Sequence, residues 1–417
     1  MKKIIFSTLL VGFLITTISA QQFDLSAEIR PRFENRHGFK TLINSEEEGA
    51  NFISQRTRLN FNFKQEKLTL GISLQNIRVW GDVSTLASND KANSFHQAWA
   101  EYQFTNNFSL KMGRQELIYD DSRIFGNVGW AQQARSFDVI IAKLKISENG
   151  KLDIGYSLNN DSEQLVNSLY TNVAGYKTFQ YAWYHTRINN LGISLLALNN
   201  GVEYLNSISD EKLSYSQTLG GRATYKKGDV SFNIATYFQT GAILENAISA
   251  NYFGGNVYYK FSDNFNFGVG VEYLSGKDMN DTSSKVKSFN PLYGTNHKFN
   301  GFMDYFYVGN HLNSVGLLDL NATLGYSKDR FSAKLMPHIF SSAADIYSAG
   351  AKVKNSLGTE VDLVLGYKIA KNVQLNGGYS KMFGTSSLEV LKGGNSSANN
   401  SWAWLMVTFK PSLFTSK

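Results

Sequence analysis

Residues 53–64 read ISQRTRLNFNFK, and Leu59, Phe61 and Phe63 alternate there with Arg56, Arg58, Asn60, Asn62 and Lys64. Successive side chains of a β-strand point to opposite faces. The stretch is therefore a strand with one apolar face and one strongly polar face. Phe23 to Arg36 repeats the pattern: Leu25, Ala27, Ile29 and Phe33 alternate with Glu28, Arg30, Arg32 and Glu34.

The same period of two recurs to the end of the chain. It predicts strands at 67–80, 94–104, 107–118, 137–146, 151–158, 177–188, 191–199, 213–225 and 230–239. Further strands follow at 247–261, 264–275, 316–327, 330–340, 357–369, 372–383 and 399–410, about eighteen in all. Short turns, such as Gln65-Glu66, Thr105-Asn106 and Asn189-Asn190, alternate with long connections, the longest at 276–315. That alternation belongs to an outer-membrane barrel with short periplasmic turns and longer outer loops. Strands near ten residues fit a tilted span of the bilayer core. Lipid cannot satisfy a charge, so the apolar faces must point outward and the polar faces inward. The predicted fold class is all-β, a transmembrane antiparallel β-barrel wide enough for an aqueous channel. Aromatics near strand ends, among them Phe63, Phe104, Phe108, Tyr225, Tyr273, Tyr326, Phe331, Tyr367 and Phe409, suit interfacial girdles.

Composition agrees. The 417 residues include 4 prolines and no cysteine, with 41 Lys and Arg against 34 Asp and Glu. Lack of cysteine excludes a disulfide framework, a cysteine zinc site and a lipid-anchored N-terminal cysteine. Lys2 and Lys3 precede the apolar run Ile4 to Ile15, and Thr16-Thr17-Ile18-Ser19-Ala20 is a small-residue exit. That is the layout of a secretory signal peptide, cut after Ala20, with residues 21–417 left as a single barrel domain in the bacterial outer membrane. For an exported chain, nucleic acid is the least suitable partner of the basic excess.

Arg30, Arg32, Arg56 and Arg58 fall on adjacent strands, on the inward face, with Glu28 and Glu34 between them. Guanidinium groups match carboxylates in bidentate geometry. Two readings stay open: a ladder guiding a polyanion, with acidic neighbours keeping it releasable, or charges that pair and stiffen the wall. Lys64, Glu101, Lys111, Arg187, Arg222, Lys334, Glu360 and Asp362 also point inward, in mixed sign.

Gly113 to Asp138, GRQELIYDDSRIFGNVGWAQQARSFD, contains the third long connection. Folded inward, it places Arg114, Arg123, Arg135 and Asp138 near a constriction. Strict alternation from Phe108, Leu110 and Met112 turns Arg114 toward lipid instead, unless Gly113 makes a bulge or the strand has left the bilayer. Asp120-Asp121 reads as solvated or arginine-paired, not catalytic. The aromatic run Pro291 to Phe306 reads as a loop with its own small core, or as a rim binding sugar faces through Tyr293, Phe299, Phe302 and Tyr305. Glu46-Glu47-Glu48 reads as a solvated acidic patch. No G-x-S-x-G, H-E-x-x-H, P-loop or strand–GxGxxG–helix motif is present, and the six histidines show no metal-ligand spacing. No catalytic residue, metal or cofactor is assigned. A rim-assembled enzyme or an adhesin barrel remains as a different class.

GRQ (113–115), Arg123, Gly126, Trp130, Gln132, Arg135 and Phe137-Asp138 together resemble the signature of the alginate-export family of outer-membrane barrels. RTRLNFNF (56–63), HQAWAEYQF (96–104) and NPLYGTNHKFNGFMDYFYVG (290–309) fit the same resemblance. It implies a monomeric barrel with an arginine-rich lumen that lets a linear polyuronate diffuse outward, with Arg58, Arg114 and Arg135 in that role. The partners expected are an anionic polysaccharide or oligosaccharide, and outer-membrane lipid with lipopolysaccharide. A general or differently selective porin for small solutes is the alternative.

Overall fold

A computed structural model describes residues 21–89, 92–170 and 175–416. The expected signal peptide lies outside the described residues. The chain forms one closed barrel of eighteen antiparallel strands. The first six are β1 (Gln22–His37), β2 (Ala50–Gln65), β3 (Leu68–Val79), β4 (Asn93–Thr105), β5 (Phe108–Gln115) and β6 (Phe137–Lys145). The last is Ser401–Phe409, which closes the barrel on β1 through Phe33↔Leu405 and Glu34↔Trp404. A short strand, Ser412–Thr415, extends this seam to Asp24. Closure leaves no edge, so every strand finds backbone partners without water.

Short and long connections alternate throughout, as expected. The apolar faces do point outward: Ile29, Leu59, Ile72, Met112, Ile154 and Leu363 are all exposed on the outer wall. Rings gather at the periplasmic ends of neighbouring strands. Phe104 stacks on Phe108 at 5.4 Å, and Tyr225 on Phe232 at 5.3 Å. At the outer ends the wall turns polar, with Gln180, Asn199 and Gln217 bonded in a row across three strands at 2.8 and 2.7 Å. The apolar belt thus lies above aromatic pairs at the periplasmic ends and, on these three strands, below a row of amides.

Two long connections do not stay outside. Residues 116–136 and 275–316 fold into the barrel, and their side chains make up much of the buried core: Phe125, Phe289, Met303, Tyr305 and Phe306 are each 1% exposed or less. Barrel wall and inward loops therefore share one interior.

Candidate constriction site

The loop 116–136 rests on the wall of β1 and β2. Arg30 donates from Nη1 to the Gly129 carbonyl at 2.9 Å and from Nη2 to Trp130 O at 3.1 Å and Gln132 Oε1 at 2.9 Å. Arg32 donates to Trp130 O at 2.7 Å, and its guanidinium lies 4.1 Å from the centre of the Trp130 ring. Arg56 pairs with Glu28 at 2.6 Å and reaches Gln132 O at 3.4 Å. Glu34 takes Arg32 and Arg36, each at 2.9 Å, and accepts from Trp402 Nε1 at 3.1 Å. Burying guanidinium groups is costly unless each finds acceptors. Here the backbone carbonyls of the loop supply them.

This corrects one expectation. Arg30, Arg32 and Arg56 face inward, but they lie beneath the loop and line no open water; each is 7% exposed or less. Arg58 differs: it donates from Nε to Gln75 Oε1 at 2.7 Å, stands 3.9 Å from Glu116, and among the described residues keeps Nη2 without a partner. It lines a polar gutter with Asn60, Asn62, Gln97 and Trp99. Glu101 also faces inward, held by Lys143 at 3.0 Å and Ser109 at 2.6 Å.

Arg114 and Asp138 require a second correction. The β4–β5 register runs unbroken through Gly113↔Trp99 and Arg114↔Ala98, so no bulge turns Arg114 inward. Arg114 and Asp138 pair at 2.7 Å on the outer wall, where their side chains are 43% and 61% exposed. They sit at the outer ends of β5 and β6, in the polar rim above the apolar belt. Neither lines the pore.

The second inward loop docks on the opposite chemistry. Wall carboxylates accept its backbone N–H groups: Met303 donates to Glu360 at 2.7 Å and Phe302 to Asp362 at 3.3 Å. Asn300 donates to Glu272 at 2.8 Å and to Asp319 at 3.2 Å. Gly301 has φ +82°, and a Cβ there would lie 2.7 Å from the Glu360 carboxylate. Only glycine allows the backbone this close.

The two loops then join each other. Phe125 and Tyr293 form a parallel bridge with rings stacked at 5.5 Å. Gly126 N donates to Tyr293 O at 2.9 Å, Thr295 N to Ser122 O at 2.9 Å, and Val128 N to Thr295 Oγ1 at 3.0 Å. Arg135 donates to Gly294 O at 3.1 Å. A Cβ on Gly126 would lie 2.2 Å from Thr295 Oγ1, so the crossing needs glycine. Val128, a β-branched residue, is held at φ +49°, a strained conformation that neighbouring bonds must maintain. Arg123 is fully buried at the joint. It pairs with Glu272 at 3.0 Å, donates to Asn300 at 3.1 Å, and stacks over Phe299 at 4.5 Å.

Electrostatics follow from this packing. Burial opposes charge on Glu116, but bonds from His96 and Asn127 hold its carboxyl below the usual range. Burial pushes the Arg135 guanidinium down and the Tyr293 hydroxyl well up. Of the aromatic run, Tyr293 and Tyr305 are buried, while Phe299 and Phe302 line a cavity of about 250 Å³. Lys298, Lys334 and Arg222 also line that cavity. Asp121 pairs with Arg222 at 3.4 Å, and Asp120 accepts from Trp183 Nε1 at 3.1 Å, so neither acid of that pair stands free. Among the described residues, no three His, Asp or Glu side chains gather as metal ligands. Sequence reasoning placed Trp130 and Gln132 in the family signature but did not identify them as the residues that engage the arginines.

A family model described as alginate export matches residues 22–385. No curated protein matches the chain. Solved structures share the fold at low identity. OccK2 (OpdF) of Pseudomonas aeruginosa, solved in complex with glucuronate, is 13% identical with a TM-score of 0.63, covering 95% of this chain and 100% of that one. OpdK of the same organism, solved with vanillate, is 13% identical with a TM-score of 0.61, covering 94% and 98%. A BenF-like porin of Pseudomonas fluorescens Pf-5 is 13% identical with a TM-score of 0.61, covering 94% and 99%.

Proposed function

The chain belongs to the alginate export family of outer-membrane channels, and from that premise we propose that its cargo is an anionic oligosaccharide or polysaccharide. One observation supports this most. The wall carboxylates Glu272, Glu360 and Asp362 are occupied by the inward loop, whereas among the described residues Lys334 has no bonded partner, and Lys298 donates to a backbone carbonyl at 2.8 Å and lies over the Phe299 ring without meeting a carboxylate. A wall of mixed sign in the sequence becomes a water path whose free charges are cations. Cations lining a narrow path favour anion passage without tight capture. In this reading the barrel acts as a monomer, its outer wall meets lipid and lipopolysaccharide, and it performs no catalysis.

A second reading has its own support. The loops 116–136 and 275–316 meet across the lumen, which favours short solutes over long chains, and structural neighbours were solved with the small carboxylates vanillate and glucuronate. Efflux from proteoliposomes distinguishes the two. Purified protein should release oligouronates of several residues faster than neutral oligosaccharides of equal length. Release of single uronates alone supports the small-solute reading, and equal release of neutral chains contradicts both.

A further inference from the structure

The periplasmic rim carries a feature that neither loop explains. The turns Asp329-Arg330 and Lys371-Asn372 and the end of the last barrel strand enclose a cleft of about 540 Å³. Four cations line it: Arg330, Lys368, Lys371 and Lys410. No carboxylate lines it, and none of the four forms an ion pair among the described residues. Arg330 is held in place by a bond from Nη1 to the Ile369 carbonyl at 3.3 Å. Like charges so gathered repel one another, and the arrangement stores a potential that an anion relieves.

The cleft adjoins the interior through Lys410. Thr408 and Lys410 follow Trp404 and Met406 on the inward-facing side of the last strand. Lys410 lines both this cleft and the polar gutter that ascends past Asn62 and Asn60 to Arg58. The opposite mouth carries both signs. Glu46, Glu47, Glu48, Asp161 and Glu163 stand exposed on the outer loops, and so do Lys212, paired with Asp210, and Lys352, paired with Asp345. An anion approaching from outside meets carboxylates beside cations; one approaching from the periplasm meets a cleft lined by cations.

We propose that the cleft of Arg330, Lys368, Lys371 and Lys410 is the capture site for anionic oligosaccharide at the periplasmic mouth. The proposal rests on the anionic-cargo reading above and adds a place to it. Carboxylate groups of a flexible chain engage several cations at once, and the chain then passes Lys410 into the gutter toward Arg58. Because the site is exposed, its attraction is screened by salt.

Single-channel recording with hexauronate added to one side at a time tests this. The full mature chain is used, with a protease site inserted at Gly350 to assign orientation. At low salt, blocking events should be several-fold more frequent from the periplasmic side than from the outer side. Lys371→Glu with Lys410→Glu should bring that ratio close to one, as should high salt. Both substitutions lie at exposed positions, and heat-modified gel mobility checks that the barrel has folded. Blocking that is equally frequent from both sides of the wild-type channel overturns the capture site but leaves the cargo reading standing. An unchanged ratio in the double variant does the same. No blocking from either side overturns the cargo reading itself.

Discussion

Trp130 of one inward loop stacks on His297 of the other, with ring centres 4.8 Å apart and planes 18° from parallel. This contact ties two wall sectors together. Behind Trp130 stand Arg32 and the edge-on rings of Trp402 and Trp404; behind His297 stand Asp304 at 2.6 Å and Phe302. The arginines of β1 and β2 hold the first loop by its carbonyls, and the acids of the far wall hold the second by its N–H groups. The constriction is therefore a strut between oppositely charged walls.

Removing an anchor should loosen the strut. Arg30→Ala deletes five hydrogen bonds to the loop 116–136, and charge-assisted bonds of this kind are worth about 1.5–3 kcal/mol each. Single-channel recordings should show larger, noisier current, and the loop should become open to protease. Wild-type conductance with an intact loop would show that the arginine does not anchor it.

Arg123 and Glu272 should behave as a coupled pair. Arg123→Ala leaves a buried carboxylate without its cation, a loss of roughly 3–5 kcal/mol. Adding Glu272→Gln removes that charge and should recover part of the loss. Thermal unfolding of the two single variants and the double variant measures the coupling, and strictly additive losses would contradict it.

Arg114 should matter little to conduction. It pairs with Asp138 on the outer wall, and exposed pairs contribute about 0–1 kcal/mol. Arg114→Ala should leave conductance and anion preference as in the wild type. A marked fall in either would mean that Arg114 reaches the water path.

Acid should loosen the segment around His311. Burial pushes its imidazole down to about 3, from an ordinary value near 6.5. Between those values the unfolded segment binds a proton that the packed segment excludes. Packing is thus fully stable above about pH 6.5 and weakens as pH falls toward 3, by about 1.4 kcal/mol per pH unit. Hydrogen exchange of residues 306–316 should quicken from pH 7 to pH 4 in the wild type. His311→Asn tolerates the φ of +59° and should remove that dependence. Equal acceleration in the variant would place the sensitive group elsewhere.

The barrel was legible because lipid imposes a strict rule on each strand. Leu59, Phe61 and Phe63 had to face out, and the period of two followed without reference to the rest of the chain. The inward direction of Arg30, Arg32, Arg56 and Arg58 was legible for the same reason. What covers them was not, because a contact such as Arg30 to Gln132 joins residues about a hundred positions apart. Alternation alone placed Arg114 on the outer wall, and family likeness pointed the other way; the unbroken register of β5 decided for alternation. The mixed sign of the lumen was also read from residue identity alone. Only docking revealed that Glu360 and Asp362 serve the second loop, leaving Lys298 and Lys334 to the water.

The central claim is that the free charges of the water path are cationic. Reversal potential across a salt gradient, recorded on single channels of the purified protein, tests it most directly. The expected sign is that of an anion-preferring pore, with the preference reduced in a Lys298→Ala, Lys334→Ala double variant. A cation-preferring reversal potential in the wild-type channel would contradict the account.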